Sequence, residues 1–252
     1  MKETKLCAHR GLSHACPENT LPAFAAAIAL GVEEIEFDLW LSRDGVPVVC
    51  HDTRLDRTTD GEGVVMELVW EEIRAVDAGV QTGELWTGIR VPRVEEVLDC
   101  APGVGLNIHI KDPGPDGRLV KMTCDLIRER ELTDLAYITG IGDVLSVATA
   151  YAPEVERCCL AGQNEPDKQI DLAIEYACQR LQFKRQVTAA DTARAHSVGL
   201  INNLFWSDEL EDAQAYIELG IGVILMNRAN LLVPLNGYRA CESEGPASRR
   251  HR

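Results

Sequence analysis

The feature that most constrains the fold of this sequence is an eightfold alternation of short β-type runs with amphipathic or capped helical stretches. The predicted strands are 5–9, 33–41, 105–111, 135–139, 155–161, 180–184, 200–205 and 222–227. The predicted helices between them include 20–30, 119–130, 143–151, 168–178, 188–196 and 208–219, and Thr188 with Asp191 has capping-box spacing. Repeated strand–helix units of this kind predict an α/β protein with the (β/α)8 architecture of a TIM barrel.

The domain organisation follows from one break in this rhythm. About 50 glycine-containing residues separate a hairpin at 46–51 from the third main strand, which indicates a small insertion after the second strand, at about 53–92. Residues 1–241 are therefore expected to form a single barrel domain. Residues 242–252 lack a run of apolar side chains and turn basic, which predicts a disordered tail or a cloning remnant.

Charge and cysteine content exclude several classes of function. With 40 acidic and 25 basic residues, the net charge of −15 argues against a nucleic-acid partner. No run approaches the roughly 18 apolar residues of a membrane span, and the first residues lack the apolar region of a signal peptide. The nine cysteines form no C-x-x-C pair. We therefore expect a cytoplasmic protein with reduced, mostly buried thiols and no stable membrane association.

Two predicted strands carry polar side chains at alternate positions. Glu36 and Asp38 share one face of the second strand, and His109 and Lys111 share one face of the third. Buried carboxylates are costly unless they share a proton, pair with cations or hold a metal. The pattern indicates a divalent cation site, and the alternative is a structural ion network with Arg10 and Lys111.

Two histidines end strands at the same predicted mouth of the barrel. His9 ends the first strand and His51 ends the hairpin, so both imidazoles are candidates for acid–base chemistry. We interpret His196 and His251 as structural or surface residues. His14 lies in a loop beside the predicted site, and the sequence leaves its role open.

These residues belong to an ordered series of motifs that resembles the glycerophosphodiester phosphodiesterase family. The series consists of AHRG at 8–11, PENT at 17–20, E-x-D at 36–38, HD at 51–52, LDRTTDG at 55–61 and LNIHIK at 106–111. The resemblance covers about residues 6–111 strongly and the last two barrel strands more loosely. It implies metal-dependent hydrolysis of a glycerophosphodiester to glycerol 3-phosphate and an alcohol.

The resemblance also implies a role for each site residue. His9 and His51 would be the acid–base pair, and Glu36 and Asp38 would hold one divalent cation such as Mg²⁺, Ca²⁺ or Mn²⁺. The remaining residues would contact the substrate: Arg10 and Lys111 the phosphate, Phe205 the departing alcohol, and Glu18 either substrate hydroxyls or Arg10. Asn19 and Thr20 are interpreted as helix caps.

Three departures from the family pattern affect this interpretation. His109 stands where the family carries a metal-binding glutamate. If the imidazole ligates the metal, it favours Mn²⁺ or Zn²⁺. The alternative is that His109 only hydrogen-bonds a metal-bound water or the substrate. Asn227 replaces the aspartate that ends the last strand, a change expected to affect structure more than chemistry. The loop at 12–16 also differs, which indicates a shifted substrate preference.

Two further functions compete with the main hypothesis. Phospholipase D-type relatives act on lysolipids and stop at a cyclic phosphate, and a non-catalytic barrel would only bind phosphodiesters. The acidic charge and the 5% aromatic content argue against docking on a membrane. The expected partner is a small-molecule phosphodiester, and self-association into a homo-oligomer is left open.

Overall fold

Eight parallel strands close into a barrel in the computed structural model of the chain, which describes residues 4–235. The strands are β1 Lys5–His9, β2 Glu34–Leu41, β3 Pro47–Val49, β4 Gly105–Ile110, β5 Ala136–Gly140, β6 Glu156–Cys159, β7 Arg180–Lys184, β8 Ile201–Phe205 and β9 Val223–Met226. Neighbours pair in the order β1, β2, β4, β5, β6, β7, β8, β9, and β9 returns to β1, while β3 pairs antiparallel with β2. Every predicted strand is present, with ends shifted by two residues at most, so the predicted TIM barrel is confirmed.

The helices lie between the strands, and the six predicted ones are all present. At α7, the Asp191 carboxylate accepts a hydrogen bond from the Thr188 backbone N–H at 2.8 Å, which confirms the capping box. Three short helices, α2, α3 and α9, were not predicted, because fewer than two turns give too little periodicity to detect. The helices are α1 Leu21–Ala29, α2 Trp70–Ala75, α3 Val94–Cys100, α4 Arg118–Glu129, α5 Gly142–Tyr151, α6 Pro166–Glu175, α7 Ala189–Ser197, α8 Leu210–Glu218 and α9 Ala229–Leu232.

The main core lies between the barrel and its helices, and strand β2 shows how the sequence builds it. Ile35, Phe37 and Leu39 are fully buried, and the Phe37 ring meets Phe24 of α1 edge to face at 5.9 Å. Because successive side chains of a strand point to opposite faces, the carboxylates of β2 are left pointing into the barrel. Replacing Phe37 by alanine would cost about 3–5 kcal/mol of stability.

The segment between β3 and β4, where the sequence predicts an insertion, has a small apolar cluster of its own. Leu55, Val65 and Ile73 are fully buried there against Trp40 and Val48 of the β2–β3 hairpin. The Asp77 carboxylate accepts backbone N–H hydrogen bonds from Gly88 at 2.5 Å and Gly79 at 2.8 Å, which holds its pKa below the usual value. This cluster anchors the segment against the β2–β3 hairpin.

Other expectations concern cysteines, membrane spans and the chain end. Cys100 is half-buried, and the remaining seven cysteines within 4–235 are buried, as predicted. Within the same range, no helix combines the length and apolarity that a bilayer-crossing segment needs. The predicted tail at 242–252, with His251, lies outside the described residues.

Candidate active site at the carboxyl end of the barrel

An open cavity of about 360 Å³ lies at the carboxyl ends of the strands, where TIM barrels place their active sites. Eight of the nine site residues predicted from the sequence line it, and Glu18 lies behind them. The eight residues are His9, Arg10, Glu36, Asp38, His51, His109, Lys111 and Phe205. The remaining walls are formed by Leu160, Gln163, Gln182 and Leu225.

The floor of the cavity is a cluster of two carboxylates and an imidazole. Strands β2 and β4 pair so that Asp38 is opposite His109, and Glu36 is one inward position earlier. His109 Nδ1 lies 3.1 Å from Asp38 Oδ1 and 3.8 Å from Glu36 Oε1. One donor atom from each residue lies within 4.8 Å of the others, so the three side chains can reach a common ion.

The two buried carboxylates differ in their electrostatics. Burial raises the pKa of Glu36 well above its usual value, and the adjacent Asp38 charge raises it further. Burial also penalises ionised Asp38, but the His109 hydrogen bond and the charge of Lys111 hold its pKa well below the usual range. Asp38 is therefore the more acidic member of the pair, and Glu36 is the more basic one.

A structural ion network with Arg10 and Lys111, the alternative to a metal site, would neutralise the charge of Asp38. It would leave the Glu36 carboxylate without a cationic partner. Asp38 lies 2.8 Å from Lys111 Nζ and 3.3 Å from Arg10 Nε. No lysine or arginine of residues 4–235 pairs with the Glu36 carboxylate, which is 3% exposed. A divalent cation would supply the missing charge, and two carboxylates with one imidazole are a donor set that such ions accept. The residues present therefore fit a bound metal.

A left-handed turn after β1 places Arg10 over this cluster. Arg10 has φ 57° and Gly11 has φ 77°, and a Cβ at Gly11 would lie 2.6 Å from the Ala23 carbonyl carbon. The turn directs the Arg10 backbone N–H to the Glu36 side chain at 3.1 Å. Such a backbone conformation costs a non-glycine residue about 1–3 kcal/mol and is found at functional sites. Arg10 and Lys111 thereby bring two positive charges to the cavity.

Glu18 contacts Arg10 rather than the cavity. Its carboxylate accepts hydrogen bonds from Arg10 Nη1 at 3.0 Å and from Arg57 Nη2 at 2.6 Å. Burial opposes ionisation of Glu18, but Arg57 and Arg10 outweigh it and lower the pKa of that carboxyl group. Of the two roles that the sequence left open for Glu18, the structure shows the contact that orients Arg10.

His51 is hydrogen-bonded to a carboxylate on its side away from the cavity. Its Nδ1 donates to Asp52 Oδ1 at 2.6 Å, and Arg57 Nε donates to Asp52 Oδ2 at 2.5 Å. The Arg57 hydrogen bond, followed by that of His51, lowers the pKa of Asp52 to about 2. Asp52 is therefore ionised and can only accept, so the hydrogen bond places a proton on His51 Nδ1.

His9 is hydrogen-bonded to a neutral partner instead. Its Nδ1 lies 2.8 Å from Asn227 Oδ1, and Asn227 Nδ2 donates to Asp208 Oδ2 at 2.9 Å. Burial, reinforced by the charge of Arg10, lowers the pKa of His9 to about 4. At neutral pH this imidazole is uncharged and can accept a proton.

The opposite wall of the cavity carries no formal charge. Phe205 at the end of β8 meets the His9 ring edge to face at 5.1 Å. Gln163 Nε2 donates to the Gln182 backbone carbonyl at 2.7 Å, whereas the buried Gln182 Oε1 has no hydrogen-bond partner within residues 4–235. Gln182 lines the cavity, and an unpaired amide oxygen is able to accept a hydrogen bond from a ligand donor such as a hydroxyl group.

The structure corrects two interpretations made from the sequence. Asn19 is not a helix cap: it adopts φ 57° and its Nδ2 donates to Asp38 Oδ2 at 2.9 Å, so it holds a metal-site carboxylate in place. Asparagine tolerates left-handed backbone, which was the available signal. Thr20 is at the N-cap position, but its hydroxyl donates to the Pro17 carbonyl rather than capping the helix.

Four residues that line the site or support His9 were missed or undervalued. Gln163 and Gln182 are isolated neutral amides with no distinctive spacing, and Asp208 lies in a loop after β8. Asn227 was expected to affect structure more than chemistry, yet it contacts His9 directly. His196 makes a 3.2 Å contact with Asn202 away from the cavity, as expected of a structural residue, and His14 is exposed.

Comparison with known proteins adds an independent finding. A model of the glycerophosphoryl diester phosphodiesterase family matches residues 9–205. The chain is 43% identical over 126 residues to a glycerophosphodiester phosphodiesterase of Caldanaerobacter subterraneus subsp. tengcongensis, a match that spans 47% of this chain and 52% of that relative. The chain thus spans about half the length of this curated relative.

Two solved structures share the fold at low sequence identity. One is a phosphodiesterase of Oleispira antarctica in complex with the product sn-glycerol-3-phosphate, with TM-score 0.84, 23% identity and coverage of 92% of this chain and 96% of that one. The other is a glycerophosphodiester phosphodiesterase of Agrobacterium tumefaciens, with TM-score 0.81, 24% identity and coverage of 92% and 99%. At these identities the likeness establishes the barrel alone.

Proposed function

Because the chain belongs to the glycerophosphoryl diester phosphodiesterase family, we propose that it hydrolyses a glycerophosphodiester to glycerol 3-phosphate and an alcohol. The observation that carries the proposal is the grouping in one cavity of two histidines, a buried carboxylate cluster and two cationic side chains. The proposal includes a small-molecule substrate. A cytoplasmic location stays a prediction, and self-association stays open.

The metal would be held by Glu36, Asp38 and His109. A divalent cation bound there would polarise the phosphoryl oxygens and stabilise the charge that develops on them. His109 replaces a carboxylate oxygen by a neutral nitrogen donor, so we expect Mn²⁺ or Zn²⁺ to be preferred over Mg²⁺ or Ca²⁺.

Arg10 and Lys111 would bind the phosphate. Both already contact Asp38, at 3.3 Å and 2.8 Å, so the phosphate and the metal would lie side by side. The guanidinium of Arg10, oriented by Glu18, can donate two parallel hydrogen bonds, whereas Lys111 acts as a point charge.

The two histidines have environments that separate their roles. His9 is neutral at pH 7 because its pKa is about 4, so it would remove the proton from the attacking hydroxyl group. His51 is paired with ionised Asp52, so it would donate a proton to the departing alkoxide as the phosphorus–oxygen bond breaks. The attacking hydroxyl is either water or the neighbouring hydroxyl of the glycerol, by way of a cyclic phosphate.

The uncharged wall would contact the alcohol portion of the substrate. Phe205 supplies an apolar surface, and the unpaired Gln182 Oε1 supplies an acceptor for a hydroxyl group. This combination favours a hydroxyl-bearing alcohol such as glycerol or inositol over a quaternary ammonium alcohol, which binds best to aromatic clusters and carboxylates.

The test is glycerol 3-phosphate release from the glycerophosphodiesters of choline, ethanolamine, glycerol and inositol, each with Mg²⁺, Ca²⁺, Mn²⁺ or Zn²⁺. We expect turnover with Mn²⁺ or Zn²⁺ and preference for the glycerol or inositol compound. Phosphorus NMR of the products identifies any cyclic phosphate, which would favour the phospholipase D-like alternative. Absence of turnover on every substrate with every ion would contradict the proposal.

A further inference from the structure

We propose that Asn227, held by Asp208, is a positioning residue that keeps the proton of His9 on Nδ1 and leaves Nε2 free as the proton acceptor. The inference rests on the proposed function for its effect on turnover. It concerns the pair Asn227 and Asp208, neither of which lines the cavity.

Asp208 determines which way the Asn227 amide points. Its Oδ1 accepts backbone N–H hydrogen bonds from Asn227 at 2.7 Å and Arg228 at 2.8 Å, and its Oδ2 accepts from Asn227 Nδ2 at 2.9 Å. An ionised carboxylate offers acceptors only, so the NH₂ group of Asn227 must face Asp208. Oδ1 of Asn227 then faces the opposite way, toward His9.

This orientation selects one tautomer of His9. The Asn227 Oδ1 atom lies 2.8 Å from His9 Nδ1, and an amide oxygen can only accept, so Nδ1 must carry the proton. The neutral ring then has its lone pair on Nε2, which lies 3.9 Å from Glu36 Oε2 at the cavity floor. The Ser13 hydroxyl holds this arrangement by donating to the His9 carbonyl at 2.9 Å.

A base with its proton on the wrong nitrogen cannot accept another at the reacting atom. In serine hydrolases, an aspartate that orients the catalytic histidine does the same work, and converting it to asparagine reduces kcat by about 10⁴ through the wrong tautomer. Here the carboxylate acts one residue further away, through the Asn227 amide. The effect of Asp208 on His9 is therefore indirect and depends on amide orientation.

The substitution Asp208→Asn tests this chain of contacts with almost no change in shape. The side-chain oxygen of the introduced asparagine still accepts from the two backbone N–H groups that Asp208 Oδ1 accepts from. Its NH₂ group therefore faces Asn227 Nδ2. Two donors cannot pair, and Asn227 relieves the conflict by rotating its amide, which turns NH₂ toward His9. We expect His9 to switch to the Nε2–H tautomer and kcat to fall about 10²- to 10⁴-fold, with KM changed by less than about threefold.

The tautomer is read directly by long-range ¹⁵N–¹H NMR of histidine-labelled protein with Mg²⁺, and His9→Gln identifies the His9 signals. Asp212→Asn is the matched control, because Asp212 lies on α8 and accepts from Ser207 at 2.6 Å without contacting Asn227. We expect this control to leave both the His9 spectrum and kcat unchanged.

A double variant provides the rescue. In Asp208→Asn/Asn227→Asp, the carboxylate introduced at position 227 accepts from the new amide and from His9 Nδ1–H. We expect the Nδ1–H spectrum to return and kcat at pH 8.5 to rise at least about tenfold above that of Asp208→Asn, because the tautomer is restored.

The inference is overturned if Asp208→Asn keeps the Nδ1–H signal of His9, whether or not kcat falls, since a fall without a tautomer change reflects loss of structure. It is also overturned if the tautomer switches and kcat does not change. The spectrum does not depend on turnover. If the wild-type protein hydrolysed no glycerophosphodiester, the proposed function would be refuted. The NMR measurement of the His9 tautomer would still test the present inference.

Discussion

The two halves of the barrel mouth differ in chemistry although they share one fold. Strands β1, β2 and β4 and the β3 hairpin supply three histidines, two carboxylates, an arginine and a lysine, whereas β6 to β9 supply leucines, glutamines and a phenylalanine. The charged half has the groups needed to bind phosphate and transfer protons. The uncharged half has the groups needed to contact an alcohol. Under the proposed function, reaction and substrate selection would be carried by separate arcs of the barrel.

The largest expected effect comes from the centre of the charged half. Asp38→Asn removes a charge that contacts His109, Lys111 and Arg10, so we expect kcat/KM to fall at least about 10³-fold. Breaking a buried ion pair also costs about 3–5 kcal/mol, so thermal unfolding should be measured beside the kinetics. A folded variant with activity within tenfold of wild type would contradict the role given to this half.

The preferred metal ion tests the role of His109 in the charged half. We expect His109→Glu to shift the preferred ion from Mn²⁺ or Zn²⁺ toward Mg²⁺ or Ca²⁺, by about tenfold in relative kcat/KM, because a third oxygen donor suits hard cations. The measurement is activity across a series of ions at equal free concentration. An unchanged ion preference would show that His109 does not ligate the metal.

The acid limb of the pH profile tests His9. Burial and the charge of Arg10 lower its pKa to about 4, so the neutral base is present above that pH and is lost as the pH falls through it. We expect kcat/KM to stay within about threefold between pH 7 and pH 5 and to decline toward pH 4. A decline with its midpoint near 6.5 would show that His9 titrates as an ordinary histidine.

The smallest expected effect lies in the uncharged half. Gln182→Leu removes the unpaired acceptor proposed to bind a substrate hydroxyl group, and the loss of one hydrogen bond of about 1 kcal/mol corresponds to a roughly fivefold rise in KM. We expect kcat to change by less than about twofold, and the effect to be larger for the glycerol compound than for the choline compound. A fall in kcat with unchanged KM would place Gln182 in the reaction rather than in recognition.

The sequence could predict those site residues whose position follows from alternation along a single strand. Alternation along β2 and β4 was enough to place Glu36, Asp38, His109 and Lys111 together, because a strand of known register determines which side chains point inward. The strand ends likewise placed His9 and His51 at the mouth.

Contacts between distant segments could not be predicted in this way. Asn227 meets His9 across 218 positions of the chain, and Asn19 meets Asp38 through a left-handed turn that no periodic pattern reveals. Gln163 and Gln182 are neutral amides, and their importance depends on which neighbours leave them unpaired. Such interactions become visible only when the barrel has closed.

The most direct test of the central claim is hydrolysis of the glycerol diester by one sample of the protein with Mn²⁺, after chelation, and after Mn²⁺ is restored. We predict release of glycerol 3-phosphate that stops on chelation and returns with the ion, because the proposed reaction needs a cation held by Glu36, Asp38 and His109. Release that continues undiminished after chelation would contradict it.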